Sequence, residues 1–228
     1  MPRLFSYCIP HDNGAAPNPF WGVCTLNICK PVIRRNAKKG DWVVGTGSAQ
    51  HGFENKVVYA MEITEKMTMQ EYDSYCKAEL PKKIPKWRGR NYKDRVGDCI
   101  FDFSVEPAKI LKSVHDEGNR QRDLGGKFTL LSDHFYYFGD KPELLPEHLL
   151  PIVRQGQGHK STSNQYYFHD FIDWILTQGK AKNKVNSEPY DRNLFTLDCD
   201  YITKCAIRDK QFDDMDEELE GGLSNHNN

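Results

Sequence analysis

Residues 37–44 read AKKGDWVV, and residues 56–63 read KVVYAMEI. These two stretches decide the fold class. Gly40-Asp41 is a turn signal, and the apolar Trp42-Val43-Val44 behind it reads as a strand. Gly45-Thr46-Gly47-Ser48 breaks that strand, and Lys56 to Ile63 is a second one. Upstream, Pro31 suits the first turn of a short helix through Ala37, with Gly40 as its stop. Downstream, Thr64 to Leu80 reads as a helix ending before Pro81. Strands interleaved with helices make this an α+β chain.

Working outward, Arg3 to Ile9 reads as a first strand. It runs into the turn-rich loop His11 to Pro19. Gly22 to Cys29 is a second short strand, and Cys99 to Phe103 another. Lys127 to Leu131 and His134 to Phe138 are two more, continuous or broken at Ser132-Asp133. Leu144 to Val153 reads as a short helix. Asn164 caps a helix from Gln165 to Gln178, where Tyr167, Phe168, Phe171, Ile172 and Ile175 recur at helical spacing. Asn193 to Ala206 is a last candidate element. The expectation is one domain over residues 1–208 and an acidic disordered tail over 209–228.

The formal net charge of −1 hides an uneven distribution. Lys77 to Arg95 holds eight basic and two acidic residues, whereas Asp209 to Glu220 holds seven acids and one lysine. A basic body with an acidic tail can bind a polyanion locally, and the tail can occupy a protein partner's basic surface. A solvated surface with a disordered tail is the plainer alternative. No window is long and apolar enough for a membrane span, and MPRLFSYCIP has no signal-peptide pattern. The seven cysteines are odd in number and scattered. They are expected to be reduced thiols in the cytoplasm.

The succession of helix, Lys-Gly-Asp, strand, small-residue loop, strand and helix resembles the PUA-like superfamily, which includes PUA, ASCH, EVE and YTH domains. Several segments carry a closer resemblance: Ala16-Pro17-Asn18-Pro19-Phe20, Cys29-Lys30-Pro31 with Ile33-Arg34-Arg35, Gly40 to Ser48, Asp133 to Gly139, and Gly158-His159-Lys160-Ser161. These resemble the second of the nucleotide-modification-associated domain families over roughly Met1 to Gly179. The resemblance implies a small mixed PUA-like β-barrel with flanking helices and a role beside nucleic-acid base modification. The implied partner is a nucleotide, a modified base or nucleic acid.

Candidate binding residues follow from side-chain chemistry. Asn18, Phe20 and Trp21 follow a Pro-Asn-Pro loop and either frame a base-stacking pocket or pack into the core. Arg34 and Arg35 offer guanidinium forks for phosphate, or form a solvated helix face. Thr46 and Ser48 sit in a loop that can approach a phosphate closely. Arg88 and Arg90 lie beside Trp87 and Tyr92, a composition suited to single strands or flipped bases. His159, Lys160 and Ser161 precede a helix and can meet a phosphate.

No cysteine pair has zinc-knuckle spacing, since Cys24 and Cys29 are five apart and Cys199 and Cys205 six apart. No motif calls for a metal or a cofactor, and the cysteines read as buried small hydrophobes. The leading expectation is a base- or nucleotide-binding module. Its alternatives are an enzyme on the same ligand class, with His159, Lys160 or Asp133 catalytic, and a non-catalytic adaptor.

Overall fold

In the computed structural model, residues 1–156 and 158–191 are described. Leu4–Ile9 forms β1 and Cys24–Leu26 forms β2. Pro31–Asn36 forms α1, opened by its proline. Trp42–Gly47 is β3 and Lys56–Glu62 is β4. Glu65–Thr68 is β5 and Met69–Ala78 is α2. The short elements α3 (Tyr92–Arg95), β6 (Phe101–Asp102), β7 (Lys109–Ile110) and α4 (Arg120–Gly125) follow. Phe128–Ser132 is β8, His134–Tyr137 is β9 and Glu143–Leu144 is β10. Phe168–Thr177 is α5. None of the described helices is long and apolar enough to cross a membrane.

The strands build three sheets. β1 runs parallel to β3, and β3 pairs antiparallel with β4. β4 then pairs with β9 and, at its start, with β10. A second sheet has the order β2-β8-β5, and β6 pairs with β7. The mixed α+β class therefore holds, but these strands do not close into the expected barrel. The chain changes sheet after β4 and again between β8 and β9. Both changes meet at Thr64, whose N–H donates to Leu131 O at 3.0 Å while its Oγ1 accepts the Asp133 N–H at 3.1 Å. Such a corner separates sheets rather than continuing one.

Apolar side chains fill both faces of the main sheet. Phe5, Tyr7, Val43, Tyr59 and Phe135 share one cluster with Cys24 and Leu130 of the second sheet. Trp42, Val44, Ala60 and Tyr136, from alternate positions, pack against Phe171 and Ile175 of α5. This two-sided burial explains why β3 reads as a continuous apolar run.

Four local expectations need correction. β3 continues through Gly45 to Gly47, because the backbone approaches its neighbours closely. A Cβ at Gly45 would lie 2.2 Å from Ile9 Cδ1. The helix expected from Thr64 begins only at Met69, because Thr68 and Glu71 form a capping box. Glu147–Ile152 is a 3-10 turn with Pro151 inside it, not an α-helix. Asn164 does not cap α5. Its amide donates to Leu4 O and Ser6 Oγ at 3.1 and 2.8 Å, and a 3-10 turn over Ser163–Tyr167 leads into the helix. Residues 193–206 and the acidic 209–228 segment lie outside the described residues.

Candidate active site

A sharp strand-to-helix turn forms the centre of the site. β2 ends at Leu26. Asn27 is then fixed by its own amide on Asp98 O at 2.7 Å and by Thr129 Oγ1 at 2.5 Å. The next turn carries two consecutive non-glycine residues in the left-handed region, Cys29 at φ 60° and Lys30 at φ 40°, before Pro31 opens α1. Such backbone is unfavourable by roughly 1–3 kcal/mol per residue and persists only where surrounding contacts over-determine it.

Those contacts are present. The Cys29 N–H donates to Asp123 Oδ1 at 2.9 Å, and the Cys29 carbonyl accepts Arg34 Nε at 2.8 Å. Arg34 also donates from Nη2 to Asp123 O at 2.5 Å and from Nη1 to Phe128 O at 3.0 Å. One buried guanidinium thus ties the Cys29 turn to α4 and β8. Burial pulls this guanidinium down to about 10, with Asp123 opposing, so it stays charged at neutral pH.

The Cys29 thiol faces His115. Its Sγ is 3.5 Å from Nε2, and the opposite nitrogen, Nδ1, is 2.6 Å from Asp123 Oδ2. His115 reaches this place because Ser113 Oγ donates to its carbonyl at 2.9 Å, and Asp116 caps the 3-10 turn leading to α4. The electrostatics agree on charge separation. Burial pushes the thiol up, but the charge and hydrogen bond of His115, aided by Arg122, bring Cys29 below its ordinary value. Burial lowers His115, but Asp123 and then Cys29 raise it well above the ordinary imidazole. Burial raises Asp123, but His115 and then Arg34 hold it below the usual carboxylate range. The shifts of Cys29, His115 and Asp123 thus all favour their charged forms, and a thiol, an imidazole and a carboxyl in line are the arrangement of an activated nucleophile.

Cys29 and His115 line a cavity of about 210 Å³. Tyr7, Asn13, Lys30 and Arg122 contribute polar wall, and Ile9, Ile28 and Val114 contribute apolar wall. The Lys30 ammonium lies 4.7 Å from the Tyr7 ring centroid.

Two groups among the described residues bring metal-ligating atoms within 4.8 Å of one another, Cys29–His115–Asp123 and His11–His51–Asp191. Cysteine spacing could show neither. In the first, His115 turns opposite nitrogens to Cys29 and Asp123, which suits a proton relay better than a chelate. In the second, His11 Nδ1 is 3.4 Å from Asp191 Oδ2, and His51 Nε2 is 3.0 Å from Pro10 O.

None of the binding residues expected from sequence lines this cavity. Asn18 is buried, accepting the Lys83 ammonium on both O and Oδ1 at 2.8 Å and donating to Val96 O at 2.9 Å. It offers no edge to a base. Phe20 is buried among Ala15, Ile28 and Trp87, whereas Trp21 is half-buried with the Lys82 ammonium 4.4 Å from its ring. Arg34 is fully buried and Arg35 exposed, the latter donating to Gly125 O at 2.7 Å. Thr46 is buried and donates to Tyr7 O at 3.3 Å, while Ser48 accepts Gln50 N at 3.2 Å.

The remaining expected residues are scattered. Arg88, Arg90 and Asp133 are exposed. His159 is buried 5.9 Å from the Phe5 ring. Lys160 bridges to Ser6 through its backbone and reaches Pro151 O with its ammonium, and Ser161 beside it is half-buried. The sequence reading missed His115, Asp123 and Arg122, and gave Cys29 no chemistry. The available signal was a cysteine followed by Lys-Pro at a strand-to-helix boundary.

The family model described as nucleotide modification associated domain 2 matches residues 1–195. The chain belongs to this family. No curated protein and no solved structure matches it. Membership links this nucleotide modification associated domain to nucleic-acid modification, and Cys29, His115 and Asp123 all lie within the matched residues.

Proposed function

We propose that the chain is a thiolate-dependent enzyme that acts on a nucleotide or on a base of nucleic acid. The observation that carries the reading is the alignment of Cys29, His115 and Asp123 at the wall of a cavity. The family's link to nucleotide modification supports the ligand class. In this reading the Cys29 thiolate attacks an electrophilic carbon of the ligand and forms a C–S bond as the bond from that carbon to its leaving oxygen or nitrogen breaks. The His115 imidazolium gives its proton to the atom that gains the electron pair. Attack of water or another acceptor then breaks the C–S bond, and His115 takes up the acceptor's proton. Asp123 touches no substrate; it holds His115 in the tautomer and charge state the step needs. Trp21, Arg88 and Arg90 serve as outer contacts to nucleic acid in the same reading.

The test uses thermal stabilisation by a panel of nucleotides and modified nucleosides, followed by chromatography of each mixture. Conversion by the wild type and loss of conversion in Cys29→Ala support the enzyme. A ligand bound but unchanged by the wild type leaves a binding module. Equal conversion by Cys29→Ala removes Cys29 from the chemistry.

A further inference from the structure

We infer that His11, His51 and Asp191 bind one divalent transition-metal ion such as zinc at the rim of the cavity. The site goes beyond the proposed function and uses none of Cys29, His115 and Asp123. One ring nitrogen of each histidine and one carboxylate oxygen of Asp191 lie within 4.8 Å of one another. The three residues are distant in sequence, and the main sheet brings them together. β1 and β3 run parallel with Ile9 paired to Gly47, so both strands end at the same edge. His11 lies just beyond β1, and His51 closes the 3-10 turn Ala49–His51 that follows β3. Tyr190 Oη donates to Ile9 O at 2.8 Å, and the Asp191 N–H donates to Asp12 O at 2.9 Å. These two bonds place Asp191 at that edge.

The ligands are held before an ion arrives. His51 Nε2 is 3.0 Å from Pro10 O, and its ring centroid is 4.8 Å from that of Tyr190. Asp191 Oδ2 accepts the Asp12 N–H at 2.8 Å. An imidazole has a second nitrogen and a carboxylate oxygen a second lone pair, so such contacts orient ligands as outer-shell partners do. His11 Nδ1 is 3.4 Å from Asp191 Oδ2. A charge-assisted hydrogen bond is shorter, at about 2.7–2.9 Å. The separation instead matches the roughly 3.3 Å between two ligands on one tetrahedral ion with bonds of about 2.0–2.1 Å. Two imidazoles with one carboxylate suit zinc, cobalt or nickel, whereas calcium and magnesium take mainly oxygen ligands. His11 is exposed and also lines the cavity of Cys29, which puts the ion at the cavity rim. Three ligands from the described residues leave a tetrahedral ion one position for water or for the cavity's occupant.

The experiment is calorimetric titration of the full chain with ZnCl2 and, for comparison, MgCl2. It is run on wild type and on Cys29→Ala, since Cys29–His115–Asp123 is the competing group of ligating atoms. Cys29→Ala should retain one zinc site of micromolar affinity or tighter, with magnesium at least about a hundredfold weaker. Adding His11→Ala or Asp191→Asn should weaken zinc by about tenfold or more. His11 is exposed, so His11→Ala keeps the fold and reads the site by itself if Asp191→Asn unfolds. The melting temperature of Cys29→Ala should rise with ZnCl2, and this rise should vanish when His11→Ala is added. No zinc bound by Cys29→Ala, an affinity unchanged by His11→Ala, or magnesium binding as tightly as zinc would overturn the proposal.

Discussion

Asp123 Oδ1 accepts the backbone N–H of Cys29 at 2.9 Å, across 94 positions of sequence. The other oxygen of the same carboxylate takes His115 Nδ1 at 2.6 Å. One side chain therefore holds both the Cys29 backbone and the imidazole that faces its thiol.

Asp123→Asn separates these two duties. The asparagine carbonyl still accepts the Cys29 N–H, but a neutral amide does not stabilise an imidazolium. The rise of Cys29 alkylation rate with pH should move to higher pH than in wild type. Asp123→Ala should do the same and lose about 1–3 kcal/mol of stability, because it orphans buried donors. Iodoacetamide kinetics and urea denaturation measure the two effects. An unmoved alkylation profile in Asp123→Asn would take Asp123 out of the relay.

The His115–Asp123 pair should leave a mark on stability against pH. Asp123 is lowered from 3.8, so its contribution is complete above 3.8 and is lost as pH falls through the folded value. His115 is raised above 6.5, so its contribution is complete below 6.5 and is lost as pH rises through the folded value. The melting-temperature gap between wild type and Asp123→Asn should therefore be widest from pH 3.8 to 6.5 and narrow on both sides. A gap that keeps widening into alkaline pH would contradict the charged pair.

Much of the scaffold was legible in the sequence, because local signals and the tertiary structure agree there. Pro31 opens α1, Trp42 to Val44 is strand as read, and the strand read as Lys56 to Ile63 ends one residue earlier at Glu62. That the strands form separate sheets rather than the expected barrel was not legible, since sheet closure depends on where Thr64 and Ser132-Asp133 send the chain. The site was hidden for a related reason. Cys29 and His115 are 86 positions apart, and no local spacing announces their meeting. Arg34 was singled out as a phosphate ligand, but burial turned it inward to hold Cys29 O and Asp123 O. A basic residue next to a motif does not reveal from sequence whether its partner is a ligand or the protein's own backbone.

The buried lysine at position 83 gives a test of the scaffold. Its ammonium donates to Asn18 O and Oδ1, Val23 O and Thr25 Oγ1. Thr25 Oγ1 in turn donates to Asp98 Oδ2 at 2.6 Å. Lys83→Met removes the cation and leaves the Asp98 carboxylate buried without its counter-charge. The expected loss is about 3–5 kcal/mol. Adding Asp98→Asn should recover part of it, which urea denaturation of both variants measures. A double variant no more stable than the single one would show that the hydrogen bonds, not the charge, dominate.

Arg88→Ala with Arg90→Ala decides whether the basic arm meets a strand. Both side chains are exposed, while Trp87 between Lys86 and Arg88 is buried and shares a cluster with Ala15, Ile28 and Val114 of the cavity wall. A strand entering the cavity would therefore have these arginines attached to the same apolar body. Neither arginine supports the core, so the double variant should melt within about 0.5 kcal/mol of wild type. If the two contact phosphates, the slope of log affinity against log salt should fall by about 1.8 for duplex DNA and by less for single strands. Fluorescence anisotropy of a labelled oligonucleotide across a salt series measures the slope. An unchanged slope would remove the arm from the interface.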